Sequence, residues 1–120
     1  MEHIPNKFYK KYLREFHRVL KPDGIILFGA PNYPFKRIYD IKKAFKSKQY
    51  RYYLLDDPTH CNKLSIWRYE KDFGVFFNEV RFEPTEIFFE NKIDIIKRNR
   101  YRLRFFGDKI FGYCKYKKKI

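Results

Sequence analysis

Val19-Leu20-Lys21-Pro22-Asp23-Gly24-Ile25-Ile26-Leu27-Phe28-Gly29-Ala30-Pro31-Asn32 is the stretch on which the reading of this chain turns. Pro22-Asp23-Gly24 cannot continue a helix, and it supplies a tight turn in which Gly24 is free to take a positive φ. Ile25 to Phe28 is apolar at consecutive rather than alternate positions. That pattern predicts a strand covered on both faces, as in a parallel sheet. Pro31 and Pro34 then end the strand.

Working outward from it, Asn6 reads as the N-cap of a helix over 7–20. Phe8, Tyr12, Phe16 and Val19 fall on one face of that helix, and Tyr9, Leu13 and Leu20 widen the stripe. Lys10, Lys11, Arg14 and Arg18 form its wet side. Downstream, Phe35, Ile38, Ile41 and Phe45 share a helical face, with Lys36, Arg37, Lys42, Lys43 and Lys46 opposite. Tyr50 to Leu55 is aromatic and ambiguous, and Asp56-Asp57-Pro58 breaks it. Ser65 caps a short helix over 66–73 that Gly74 closes, with Trp67 and Tyr69 read as core residues. Residues 75–82 read as a strand, and 84–99 as helix or long loop. A final strand over about 104–116 is interrupted by Gly107-Asp108, a turn or bulge.

At 120 residues the chain is expected to form one domain, 1–120. With 44% hydrophobic and 22% aromatic residues it is too apolar for intrinsic disorder, and the core must be rich in Phe and Tyr. No apolar run reaches the roughly 18 residues that span a bilayer, and there is no basic-then-apolar leader, so a cytoplasmic protein without a membrane role is expected. Cys61 and Cys114 have no metal-ligand spacing and read as buried free thiols. The net charge of +14 attracts polyanions, nucleic acid included. The charge is also spread along the chain, as solvated faces usually are.

The order of these segments, with Glu2-His3 ahead of the first helix, Arg18 to Gly24 before the strand, Pro31-Asn32 after it and Asp57-Pro58-Thr59-His60 before the short helix, resembles the carboxyl-terminal half of a class I S-adenosylmethionine-dependent methyltransferase. The resemblance implies an α/β fold: a partial Rossmann-like sheet of the family's strands five to seven, mixed parallel and antiparallel, with flanking helices. It places Glu2 and His3 at the rim of the cofactor, Asn32 and Tyr33 in the loop lining the substrate pocket, and Thr59 in a segment facing the substrate. The glycine-rich loop that cradles the methionine end of S-adenosylmethionine has no counterpart here, since none of the five glycines forms a G-x-G. Nor has the acidic residue that holds ribose hydroxyls. The resemblance therefore implies a truncated or split enzyme, the substrate-side half, inactive alone.

His60 is the candidate base, because an imidazole can take a proton from a hydroxyl or amine near neutral pH, with Asp57 to orient it. A turn in which His60 packs or caps the Ser65 helix accounts for the same residues. Asn32 likewise reads as a turn former before Tyr-Pro, and His3 as a frayed terminal residue. If Ile25 to Phe28 is an interior strand, its expected neighbour is not encoded here, and an unpaired edge invites a complementary amino-terminal half or a second copy. A basic nucleic-acid-binding protein without enzymatic activity is the alternative. Its charge and exposed aromatics would grip single-stranded nucleic acid in a salt-sensitive way.

Overall fold

Eight segments of regular structure follow one another in the computed structural model, which describes residues 1–47, 55–56, 58–87 and 89–119. They are helix α1 (Asn6–Val19), strand β1 (Ile25–Pro31), helices α2 (Phe35–Ser47) and α3 (Ile66–Gly74), strand β2 (Phe77–Pro84), helix α4 (Asp94–Arg98), a 3-10 turn (Arg104–Phe106) and strand β3 (Lys109–Lys117). Of the ambiguous stretch Tyr50 to Leu55, all but Leu55 lies outside the described residues.

The strands form one sheet in the order β1-β3-β2. β3 is antiparallel to β1, with Phe28 opposite Gly112, and antiparallel to β2, with Phe82 opposite the same Gly112. This corrects the expected fold class. No parallel pair exists among the described strands, so the sheet is a small antiparallel one and not a mixed Rossmann-like sheet. The physical reason is insertion: β1 and β2 are kept apart by the last strand, which runs against both. Periodicity along the chain carries no information about that pairing.

A second correction concerns β1 itself. Burial along it alternates: Phe28 and Ala30 are buried, while Ile25 and Leu27 are 57% and 79% exposed. A consecutive apolar run is thus used as an ordinary one-sided strand. Side chains of α1 (Tyr9, Leu13) and α3 (Ile66, Tyr69, Phe73) cover the inner face and meet Phe28, Phe82, Ile110 and Cys114 there. Phe28 and Phe82 stack with centroids 5.0 Å apart on either side of Gly112. A Cβ on Gly112 would lie 1.9 Å from the Arg81 carbonyl oxygen, so only glycine lets β2 approach β3 this closely. Gly24, by contrast, needs no positive φ; it makes room for the Leu20 side chain.

The helices arise largely where the apolar spacing places them, but their inward faces differ from the expected stripes: Tyr9, Leu13, Tyr39 and Ala44 are buried, whereas Phe8, Tyr12, Val19, Ile38, Ile41 and Phe45 are exposed. Ser65 accepts a hydrogen bond from the Arg68 N–H and caps α3. Asn6 does not cap α1; Pro5 holds the N-cap position, and Asn6 is the first helical residue. Trp67 departs from the core reading. It stands 61% exposed on α3, whereas Tyr69 is fully buried. Beyond Pro84, the last residue of β2, the one-turn α4 is the only helix among the described residues up to 99, and the segment 104–116 divides into the 3-10 turn and β3 at Gly107-Asp108. No helix among the described residues is long and apolar enough to cross a membrane.

Candidate functional site

The carboxyl end of β1 gathers polar side chains from three loops. Asn32, immediately after the strand, is fully buried. Its Nδ2 donates to the carbonyls of Phe105 and Gly107 at 2.9 and 2.7 Å, and its Oδ1 accepts from the Ile66 N–H at 2.8 Å. Its backbone N–H also bonds the Asp108 carbonyl. Each group is thus spent on holding β1, the 105–108 turn and the start of α3 together. Asn32 shapes the site from behind, and a neutral amide suits this because it both donates and accepts.

Tyr33 carries the site forward. Its hydroxyl donates to Asp56 Oδ1 at 3.0 Å and lies 2.6 Å from His60 Nδ1. Asp56 also takes Lys36 at 2.9 Å and Lys63 at 2.8 Å. Burial works against the Asp56 charge, but the hydrogen bonds from Lys36, Lys63 and Tyr33 outweigh it and hold the carboxyl well below the usual carboxylate range. Burial first, and then the bond to Asp56, push the Tyr33 phenol above its ordinary value. Because Asp56 is ionised and can only accept, the single Tyr33 proton points to it. The Tyr33 oxygen then accepts from His60 Nδ1–H, which leaves the lone pair of the neutral ring on Nε2.

His3 completes the group from the amino-terminal loop. Its Nδ1 lies 3.1 Å from the Thr59 carbonyl, an acceptor, so the proton of a neutral ring again sits on Nδ1. The Glu2 carbonyl accepts from the Asn62 N–H at 3.0 Å and pins this loop to the 59–62 segment. The His3 and His60 rings meet edge to face with centroids 4.9 Å apart. Glu2 Oε1 lies 3.5 Å from His3 Nε2. The Glu2 carboxyl is held below its ordinary value: burial opposes this, but its own backbone N–H, the terminal ammonium and His3 prevail.

Of the residues singled out in the sequence, Glu2, His3, Tyr33, Thr59 and His60 come together here, and Asn32 braces them. Asp57, expected to orient His60, lies outside the described residues. Among the described residues, Asp56 supports His60 through Tyr33. Sequence reasoning passed over Asp56, Asn62 and Lys63. The first was visible only as one of two adjacent aspartates in a strand-breaking turn, and the others carried no spacing signal. Beside Tyr33 opens a concavity of about 640 Å³, lined among others by Arg37, Asp56, Lys63, Trp67 and Arg68. His17, far from this group, bonds the Lys118 carbonyl at 2.6 Å and ties α1 to the end of β3.

Compared with known proteins, the chain matches no family model, no curated protein and no solved structure.

Proposed function

We propose that this chain is the substrate-side part of an S-adenosylmethionine-dependent methyltransferase, inactive until a cofactor-binding segment joins it. One observation carries the reading: Glu2-His3, Asn32-Tyr33 and Thr59-His60, the three pairs that the sequence resemblance marks out, meet at one end of β1. Polar side chains converging from separate loops on a rigid element are how binding and catalytic sites are usually built.

The chain's residues do not by themselves fit the cofactor. Glu2 and His3 offer a rim, but no described glycine takes a positive φ and none stands in a G-x-G. When bound, the cofactor supplies an electrophilic methyl group; this chain's residues act on the acceptor. The concavity beside Tyr33 gives the acceptor room, with the exposed Trp67 ring as a flat wall. In this reading His60, whose ring is held by Tyr33 and, through Tyr33, by Asp56, takes the acceptor's proton on Nε2. Rate then rests on positioning and on that proton transfer.

Co-expression with the segment encoded ahead of Met1, in the same or the neighbouring reading frame, tests this. The pair is expected to bind S-adenosylmethionine in calorimetry and the chain alone to bind none. His60→Ala in the pair is expected to lower turnover by about 10²–10⁴-fold with cofactor affinity unchanged. Micromolar cofactor binding by the chain alone contradicts the reading. So does a pair that binds no cofactor while the chain binds RNA with a steep salt dependence, which favours the nucleic-acid alternative.

A further inference from the structure

The Glu2, His3 and His60 cluster has a property that the methyl-transfer reading does not use. One ligand atom from each of the three lies within 4.8 Å of the others. Donor atoms around a first-row cation sit about 2.0–2.2 Å from it, so the three need to close by about an ångström to share one. The loops allow this: His3 is exposed, and Glu2 and His60 are half-buried. What makes the arrangement more than proximity is the state of the rings. In each, Nδ1 is committed to an oxygen acceptor, Thr59 O for His3 and Tyr33 Oη for His60. An outer partner on one nitrogen fixes the tautomer and turns the other nitrogen into a ligand. For His60 the outer shell continues to Asp56, a carboxylate–phenol–imidazole chain that fixes the ring's orientation.

We propose that Glu2, His3 and His60 form a divalent-cation site with two imidazole nitrogens and one carboxylate, suited to a borderline ion such as Zn²⁺. Two nitrogens and one oxygen match zinc and its neighbours better than Mg²⁺ or Ca²⁺, which favour oxygen-only shells. With three protein donors, the site leaves at least one coordination position for water or a ligand oxygen. The terminal ammonium now bonded to Glu2 Oε2 at 3.2 Å engages the other carboxylate oxygen, so Oε1 stays directed at the imidazoles. The inference does not depend on the methyl-transfer reading. His60 Nε2 gives its lone pair to the acceptor's proton in the metal-free chain and to the cation in the metal-loaded one, so the two roles belong to different states of the site.

The test is titration of the purified chain with ZnCl₂ alone, followed by calorimetry and by the ring-proton resonances of its three histidines. One equivalent is expected to bind, moving the His3 and His60 signals and leaving His17 in place. His60→Ala, His3→Ala and Glu2→Gln are each expected to weaken binding at least tenfold, and Tyr33→Phe by about 10–100-fold through the outer shell. Cys61→Ser is expected to bind like the wild type, although Cys61 Sγ lies 3.2 Å from the His3 carbonyl. Binding that survives His60→Ala overturns the proposal, because chelation by the chain terminus uses His3 but not His60. Loss of binding in Cys61→Ser, movement of His17 only, or no binding at all overturns it equally. The shifts in the wild-type chain decide the matter even if a histidine variant does not fold.

Discussion

The two faces of the sheet are made from adjacent residues of the same strands and have opposite fates. On the inner face Phe28, Phe82, Ile110 and Cys114 lie under α1 and α3. On the outer face Ile25, Leu27 and Phe111 remain 57–79% exposed. An outer face with charged neighbours such as Glu79, Arg81 and Lys115 is common in antiparallel sheets, but bulky apolar side chains at this exposure are not needed for one core. Among the described residues β1 is also the edge of the sheet, and no described strand pairs with its outer side. The contrast teaches that the described core draws on one face of the sheet only, while the other, with the β1 edge, stays open.

That comparison can be broken most sharply at Gly112. Alanine there would place its Cβ against the Arg81 backbone, and β2 would have to leave β3. Gly112→Ala is expected to abolish the cooperative thermal transition seen by circular dichroism. Phe28→Ala removes a ring packed against Tyr69, Phe73 and Phe82 and is expected to cost about 3–5 kcal/mol in denaturant unfolding.

A smaller effect belongs to Asp56 at the strand end. Its folded carboxyl is held below its unfolded value, so the stability it contributes is present above about pH 4 and lost as pH falls below that. Asp56→Asn is therefore expected to melt lower than wild type at pH 7, with the gap closing towards pH 2.5. Smallest of all is Leu27→Asp, one residue from Phe28 but on the open face. It is expected to change stability by no more than about 0.5 kcal/mol while reducing self-association in light scattering. A loss as large as that of Phe28→Ala would mean that the outer face is covered after all.

Local pattern made much of this molecule legible. The apolar spacing of Phe8 to Val19 and of Phe35 to Phe45 marked two helices, Ser65 marked the start of a third, and Pro22-Asp23-Gly24 marked the entry to β1. These features are set by near neighbours in the chain. The pairing of β1 with β3 was not legible, because it joins residues such as Phe28 and Gly112, whose partnership leaves no trace in either segment's periodicity. The same distance hid the role of Asn32, whose side chain reaches Gly107, and the Tyr33–Asp56 bond. Two-sided burial was inferred for Ile25 to Phe28 from composition, which cannot distinguish an apolar residue buried by its own chain from one left open. Glu2, His3 and His60 could be singled out by type, yet only the fold brings the amino-terminal loop onto the 59–62 segment.

That union is the point on which the proposed function and the cation site both rest. A nuclear Overhauser spectrum of the histidine ring protons tests it directly, since the chain has only His3, His17 and His60 to assign. The account expects a cross-peak between His3 and His60, whose rings lie 4.9 Å apart, and none from either to His17. A His3 signal at its random-coil position with no contact to His60 would contradict it.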